Sequence, residues 1–236
     1  MPETVVIESP ATFVTYKRTT LWSQWVVANA LAELLGLGTS ALLWLGLIFN
    51  GEQRLGVMSA AAIVVIGSTL LEGSAVGVAQ WLVLRHIWPA LKWQQWWSAT
   101  AVGAFIAWTL GMIPSTLMSL AEETTTTTPA PEISDALVWS LAALMGLILG
   151  PILALPQWFV LRRHVAHAGW WIPANAAAWG LGMPVIFMGM GFIPAGAVTL
   201  TALVIVLLSL ALAGAVVGMV HGAVLLWLLK RQAVNP

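Results

Sequence analysis

Gly73-Ser-Ala-Val-Gly-Val-Ala-Gln80-Trp81-Leu-Val-Leu-Arg85 and Gly150-Pro-Ile-Leu-Ala-Leu-Pro-Gln157-Trp158-Phe-Val-Leu-Arg162 align without a gap. Their shared Gln-Trp-x-Val-Leu-Arg is too specific to follow from apolar composition, so the chain reads as internally repeated. After each copy comes a short polar segment, a Trp-Trp pair (Trp96-Trp97, Trp170-Trp171) and a second match, Ala107-Trp108-Thr-Leu-Gly111-Met112 against Ala178-Trp179-Gly-Leu-Gly182-Met183. A weaker third copy, Gly214-Ala-Val-Val-Gly218-Met-Val-His221, puts His221 where Gln80 and Gln157 stand. Trp25-x-x-Ala28-Asn29-Ala30 likewise matches Trp171-x-x-Ala174-Asn175-Ala176.

The repeated unit is two apolar helices. Cutting the chain at charged and turn-forming segments leaves six stretches, residues 21–49, 57–84, 97–120, 137–161, 171–192 and 198–229. Each reaches or exceeds the roughly 20 residues that cross a hydrocarbon core. The chain is 60% hydrophobic and 8% charged, with mean hydropathy +0.91, whereas a soluble domain is about 25% charged. The fold class expected is an all-α polytopic membrane protein: six transmembrane helices forming three helix-hairpin repeats, about 19–85, 93–163 and 170–231, in a pseudo-threefold bundle. Parallel repeats of this kind imply an axis along the membrane normal. Residues 1–18 form a polar leading segment, 122–135 an external flexible loop around the threonine run 124–128, and 233–236 a short tail. The first apolar stretch is too long for the core of a cleavable signal peptide.

Lys17, Arg18, Arg85, Lys92, Arg162, Arg163, Lys230 and Arg231 fall on one face of such a bundle, and only Arg54 on the other. The positive-inside rule then places both termini in the cytoplasm and the chain in the inner membrane. Of the 15 tryptophans, most cluster at this boundary, among them Trp22, Trp25, Trp81, Trp88, Trp93, Trp96, Trp97, Trp158, Trp170, Trp171 and Trp227. That is the pattern of an interfacial aromatic belt. A flat-ring ligand such as a quinone or pigment could stack on the same surface.

Small residues recur along the even-numbered helices. Gly73 and Gly77, Gly146 and Gly150, and Gly214, Gly218 and Gly222 repeat every fourth position, baring one face for close helix packing. Pro151 and Pro156 should bend the fourth helix.

Glu33 and Glu72 are the only acids inside the stretches, both near mid-membrane by their distance from the flanking basic residues. An ionised carboxylate there costs about 2.5 kcal/mol or more, so at least one of the two needs a proton or a partner, and two close together would share a proton. Asn29, Glu33, Gly36 and Ser40 form one stripe on the first helix, and Ser68 and Glu72 another on the second. Glu33 and Glu72 are therefore candidates for a proton or cation site, with Asn29 in support. The bland alternative is a carboxyl pair locking one hairpin. Gln80, Gln157 and His221, at equivalent repeat positions, are candidates for a polar layer, and His221 for a pigment or haem ligand. Interhelical hydrogen bonds that fix register are the simpler role for all three.

Net charge is zero, and no basic cluster is long enough to follow a phosphate backbone, so nucleic acid is excluded as a partner. With no cysteine, disulfides, thiolate metal sites and cysteine nucleophiles are excluded too. No nucleophile with its base, zinc helix or phosphate loop is recognisable, and the chain is not expected to be an enzyme.

The Gln80–Arg85 and Gln157–Arg162 segments resemble those of small bacterial multi-span membrane proteins with repeated Gln-Trp-x-Val-Leu-Arg. That class has no assigned activity, so the resemblance implies a membrane bundle and no reaction. The layout is also similar to carriers built from three helix hairpins, but their proline-acid-basic signature is absent. Two functions remain. One is a noncatalytic accessory or structural subunit, packed on other membrane subunits or its own copies and holding lipid, quinone or pigment. The alternative is a small proton-coupled transporter or channel using Glu33 and Glu72.

Overall fold

The computed structural model describes residues 4–7, 14–50, 56–124, 133–193 and 199–234. The turn expected at 50–52, most of the 122–135 loop, the 193–196 connection and the last two residues lie wholly or largely outside them. Two short strands, β1 (Thr4–Ile7) and β2 (Val14–Lys17), pair antiparallel with Thr4 opposite Lys17. The polar leading segment is thus partly strand, whereas the sequence suggested no regular structure there.

Six long helices follow: α1 (Arg18–Asn50), α2 (Val57–Leu84), α3 (Trp93–Thr124), α4 (Asp135–Leu161), α5 (Trp171–Gly191) and α6 (Leu200–Val234), with one 3-10 turn, Ala168–Trp170, before α5. All six are long and apolar enough to cross a membrane, and the chain is a multi-pass membrane protein. α4 continues through Pro151 and Pro156, α3 through Pro114 and α5 through Pro184.

Each helix packs on its neighbours in sequence, and α6 packs on α1, so the six close into a ring. Short connections make neighbours antiparallel, which gathers the N-terminal ends of α1, α3 and α5 with the C-terminal ends of α2, α4 and α6. The outer wall is apolar: Leu31, Leu35, Ile66, Leu70, Leu144 and Leu208 are all exposed. In lipid that wall needs no cover, and apolar burial supplies little drive for helix association. Close backbone packing and interior hydrogen bonds must do that instead.

The glycines provide the packing. A Cβ on Gly73 or Gly77 of α2 would stand 3.1 Å from the Cα of Ala101 or Trp97 on α3. Gly146 and Gly150 of α4 abut the backbone of Trp179 and Asn175 on α5. On α6, a Cβ at Gly214 or Gly218 would lie 2.9 Å from the Cα of Ala30 or Val26 on α1, and one at Gly222 2.8 Å from Trp22 Cδ1. Each even helix therefore presents its bare face to the odd helix that follows it around the ring.

Candidate functional site

One end of the ring, the terminal end where α1 begins and α6 finishes, is filled by a buried apolar cluster that includes Leu21, Trp25, Leu84, Trp96, Leu161 and Trp171. Here the structure departs from the belt reading. Trp93 and Trp170 are exposed and Trp22, Trp81, Trp97, Trp158 and Trp227 half-buried, but Trp88 is buried in that cluster and Trp25, Trp96 and Trp171 are each 0% exposed. The rings of Trp25 and Trp96 both meet that of Trp171 edge-on, at 6.0 and 6.3 Å between centroids. The radial direction of a side chain depends on how the ring closes, which proximity to basic residues does not reveal.

Directly beyond these tryptophans lies a polar layer. One turn along each odd helix stands a short polar residue whose side chain donates to the tryptophan's backbone carbonyl: Asn29 to Trp25 O at 2.8 Å, Thr100 to Trp96 O at 2.9 Å and Asn175 to Trp171 O at 2.9 Å. The two glutamines span from these to the next tryptophan. Gln80 donates Nε2 to Asn29 Oδ1 at 2.9 Å and accepts the Trp96 indole N–H at 3.1 Å. Gln157 donates Nε2 to Thr100 Oγ1 at 2.9 Å and accepts the Trp171 indole N–H at 2.9 Å. A longer contact, Gln157 Nε2 to Gln80 Oε1 at 3.3 Å, joins the two bridges.

Thr100 was not among the sequence candidates, and Asn175 was noted only within a repeat match. Their signal was available: Trp25/Asn29, Trp96/Thr100 and Trp171/Asn175 share a spacing of four, which stacks both side chains on one helix face. The Ala107–Met112 and Ala178–Met183 match runs one helical turn out of phase with this hydrogen-bonding register.

The layer borders a cavity of about 20 Å³ lined by residues of all six helices. Asn29 and Glu33 reach it from α1, Glu72 and Gln80 from α2, Thr100 from α3, Gln157 from α4, Asn175 and Trp179 from α5, and His221 from α6. All six sequence-candidate polar residues therefore line one space. It exceeds the roughly 10–15 Å³ that one water requires. Glu33 and Glu72 are 1% and 6% exposed. A Cβ on Gly36 of α1 would stand 2.7 Å from Glu72 Cα, so the acid-bearing turns of α1 and α2 are in close contact. Glu72 Oε2 accepts the Trp108 indole N–H at 2.5 Å.

Among the described residues, the buried side-chain atoms without a hydrogen-bond partner are Trp25 Nε1, Glu33 Oε2, Ser68 Oγ and both ring nitrogens of His221. Orphaned polar atoms are rare in native interiors. Four of these five belong to residues at the α1–α6 seam. No group of three histidine, aspartate or glutamate side chains is placed to hold a metal among the described residues. An open groove of about 680 Å³ lies between α1 and α6 at the terminal end, lined by Thr19, Thr20, Trp22, Ser23, Ala223 and Leu226.

No family model, curated protein or solved structure matches the chain.

Proposed function

We propose that the chain is a small proton-coupled membrane transporter or channel whose proton site is the Glu33–Glu72 pair. The observation that carries this reading is the shared interior cavity: two carboxyl groups on adjacent, closely packed helices, with Glu33 Oε2 unpartnered. Ionisable groups inside a membrane domain are costly to keep and mark proton or ion pathways. Glu72, held by Trp108, is the positioned partner, and Glu33 is the group able to exchange a proton with the cavity.

Two features that favoured an accessory subunit are used within the chain. The glycine faces meet the chain's own helices, and three of the tryptophans lie inside the ring rather than in a ligand groove. The order in which even-helix glycines meet the following odd helix supports a pseudo-threefold arrangement of three hairpins. The basic residues support an inner-membrane location with cytoplasmic termini.

The test is proton flux in proteoliposomes containing a pH-sensitive dye. Glu33→Gln with Glu72→Gln should abolish flux, and retained flux in the double variant overturns the reading. The apolar cluster closing the terminal end favours the second reading, a noncatalytic subunit. Purification from native membranes in mild detergent, with mass spectrometry and an absorption spectrum, would support that reading if stable partner subunits, a quinone or a pigment co-migrate.

A further inference from the structure

Two of the three odd helices have their buried indole answered by a glutamine from the preceding even helix. Trp96 donates to Gln80 of α2, and Trp171 to Gln157 of α4. Each of those amides then donates to the short polar residue on the odd helix of its own hairpin, Asn29 or Thr100. Continuing around the ring, the third indole is Trp25, the even helix beside it is α6, and the odd helix of that hairpin carries Asn175. The residue of α6 at this level is His221, 2% exposed. Its ring lies on Trp171, 4.9 Å between centroids, and Trp171 meets Trp25. Both imidazole nitrogens and the Trp25 indole nitrogen are without partners, while Asn175 commits its amide nitrogen to Trp171 O.

A neutral imidazole has one donor and one acceptor on a planar group, enough for the two bonds of a bridge, one accepted from an indole and one donated to the neighbouring odd helix. We propose that His221 is the third bridge of the polar layer and a proton-operated latch: neutral, it accepts the Trp25 indole N–H and donates to Asn175 Oδ1, and protonated, it releases Trp25. The imidazolium has two donors and no acceptor, so it conflicts with a neighbouring indole N–H. Glutamine has no such second state. Of the three bridges in this layer, the one across the α1–α6 seam is thus the one that responds to a proton.

The titratable groups facing His221 across the cavity are Glu33 on α1 and Glu72 on α2. α5 presents Trp171, Asn175 and Trp179, none of which titrates near neutrality, and α6 adds no further titratable group at this level. The latch stands whether or not Glu33 and Glu72 carry protons across the membrane.

The experiment is NMR of the full chain in nanodiscs, with 15N-labelled histidine and tryptophan. His221 and Trp25 resonances are assigned by their loss in His221→Gln and Trp25→Phe. At neutral pH His221 should show one protonated and one bare ring nitrogen, and the Trp25 indole proton should lie at a hydrogen-bonded shift. His221→Gln should keep that indole shift and melt no lower than wild type, whereas His221→Leu should lose the shift. Acidification that protonates His221 should move the Trp25 indole in wild type and leave it in place in His221→Gln. A Trp25 indole indifferent to both His221→Leu and His221 protonation overturns the proposal. So does a doubly protonated His221 at neutral pH. Should His221→Leu fail to fold, Trp25→Phe decides: an unchanged His221 resonance in that variant also overturns it.

Discussion

Gln80 on α2 holds two helices at once: its amide nitrogen donates to Asn29 of α1 at 2.9 Å while its carbonyl accepts the Trp96 indole of α3 at 3.1 Å. Gln80→Leu therefore strands a buried acceptor and a buried donor. The expected cost is about 1–3 kcal/mol, read as a lowered midpoint of unfolding in mild detergent. Trp96→Phe should disturb this bridge less, because Gln157 Nε2 still approaches Gln80 Oε1 at 3.3 Å. The phenylalanine also keeps most of the apolar contact with Trp171. If Trp96→Phe costs more than Gln80→Leu, the amide is not the centre of the seam.

Glu72 and Trp108 form a second interior pair, between α2 and α3. Glu72→Gln retains a carbonyl oxygen to accept the indole and should unfold close to wild type. Glu72→Leu leaves the indole N–H unpaired and should cost about 1–3 kcal/mol. Trp108→Phe should destabilise wild type yet add little in the Glu72→Leu background. A double-mutant cycle measures this directly, and additive losses would show that the two side chains act independently.

Alanine at glycine positions should separate packing sites from bystanders. At Gly218 a new Cβ would stand 2.9 Å from Val26 Cα, and at Gly150 it would press on the Asn175 backbone. Both are fixed main chain, so the helices must part, and about 1–3 kcal/mol of overpacking cost is expected. Gly46 has nothing within 4 Å of the same construction. Gly46→Ala should be neutral or gain up to about 1 kcal/mol from helix propensity. Thermal melts of the three single variants give the ranking, and equal shifts would contradict it.

The six apolar stretches were legible because their length is set by the bilayer rather than by tertiary detail. Their ends moved by a few residues: α3 starts at Trp93 and α6 ends at Val234. Asn29, Glu33, Glu72, Gln80, Gln157 and His221 could be singled out because polar side chains are scarce in such stretches. Thr100 escaped notice because a threonine in an apolar helix ordinarily bonds its own backbone, as Thr39 and Thr109 do. Trp25, Trp96 and Trp171 were misplaced for a different reason. An indole one turn inside a basic helix end fits an interface or a core equally well, and only closure of α6 on α1 decides between them. The hydrogen-bond pairing was hidden for the same cause, since Gln80 and Asn29 are brought together by packing between helices.

Outside the spans, His164 follows α4 with its ring tilted against Trp88 at 5.9 Å. Burial lowers its pKa from 6.5, and the neighbouring Arg163 lowers it further. A depressed histidine pKa means that the unfolded chain binds the proton more readily. The stability tied to His164 is therefore present above pH 6.5 and is lost as pH falls through the folded-state value. Melting temperatures between neutral and mildly acidic pH should decline less in His164→Gln than in wild type. Identical slopes would remove His164 from the acid response.

Sidedness follows from charge and is open to a direct check, because the chain has no cysteine of its own. Gln94 and Gln232 are exposed at the basic end of the ring, and Ile133, 55% exposed, at the other. Single variants Gln94→Cys, Gln232→Cys and Ile133→Cys each supply one thiol for a membrane-impermeant maleimide. With eight of the nine lysines and arginines gathered at one end, that end should face the cytoplasm. Ile133→Cys should then react in intact spheroplasts, whereas Gln94→Cys and Gln232→Cys should react only in inverted vesicles. The opposite pattern would reverse the orientation and put the apolar plug of Trp25, Trp96 and Trp171 toward the outside. The same labelling therefore also fixes which compartment lies on the plugged side of the Glu33–Glu72 cavity and of the proposed latch at His221.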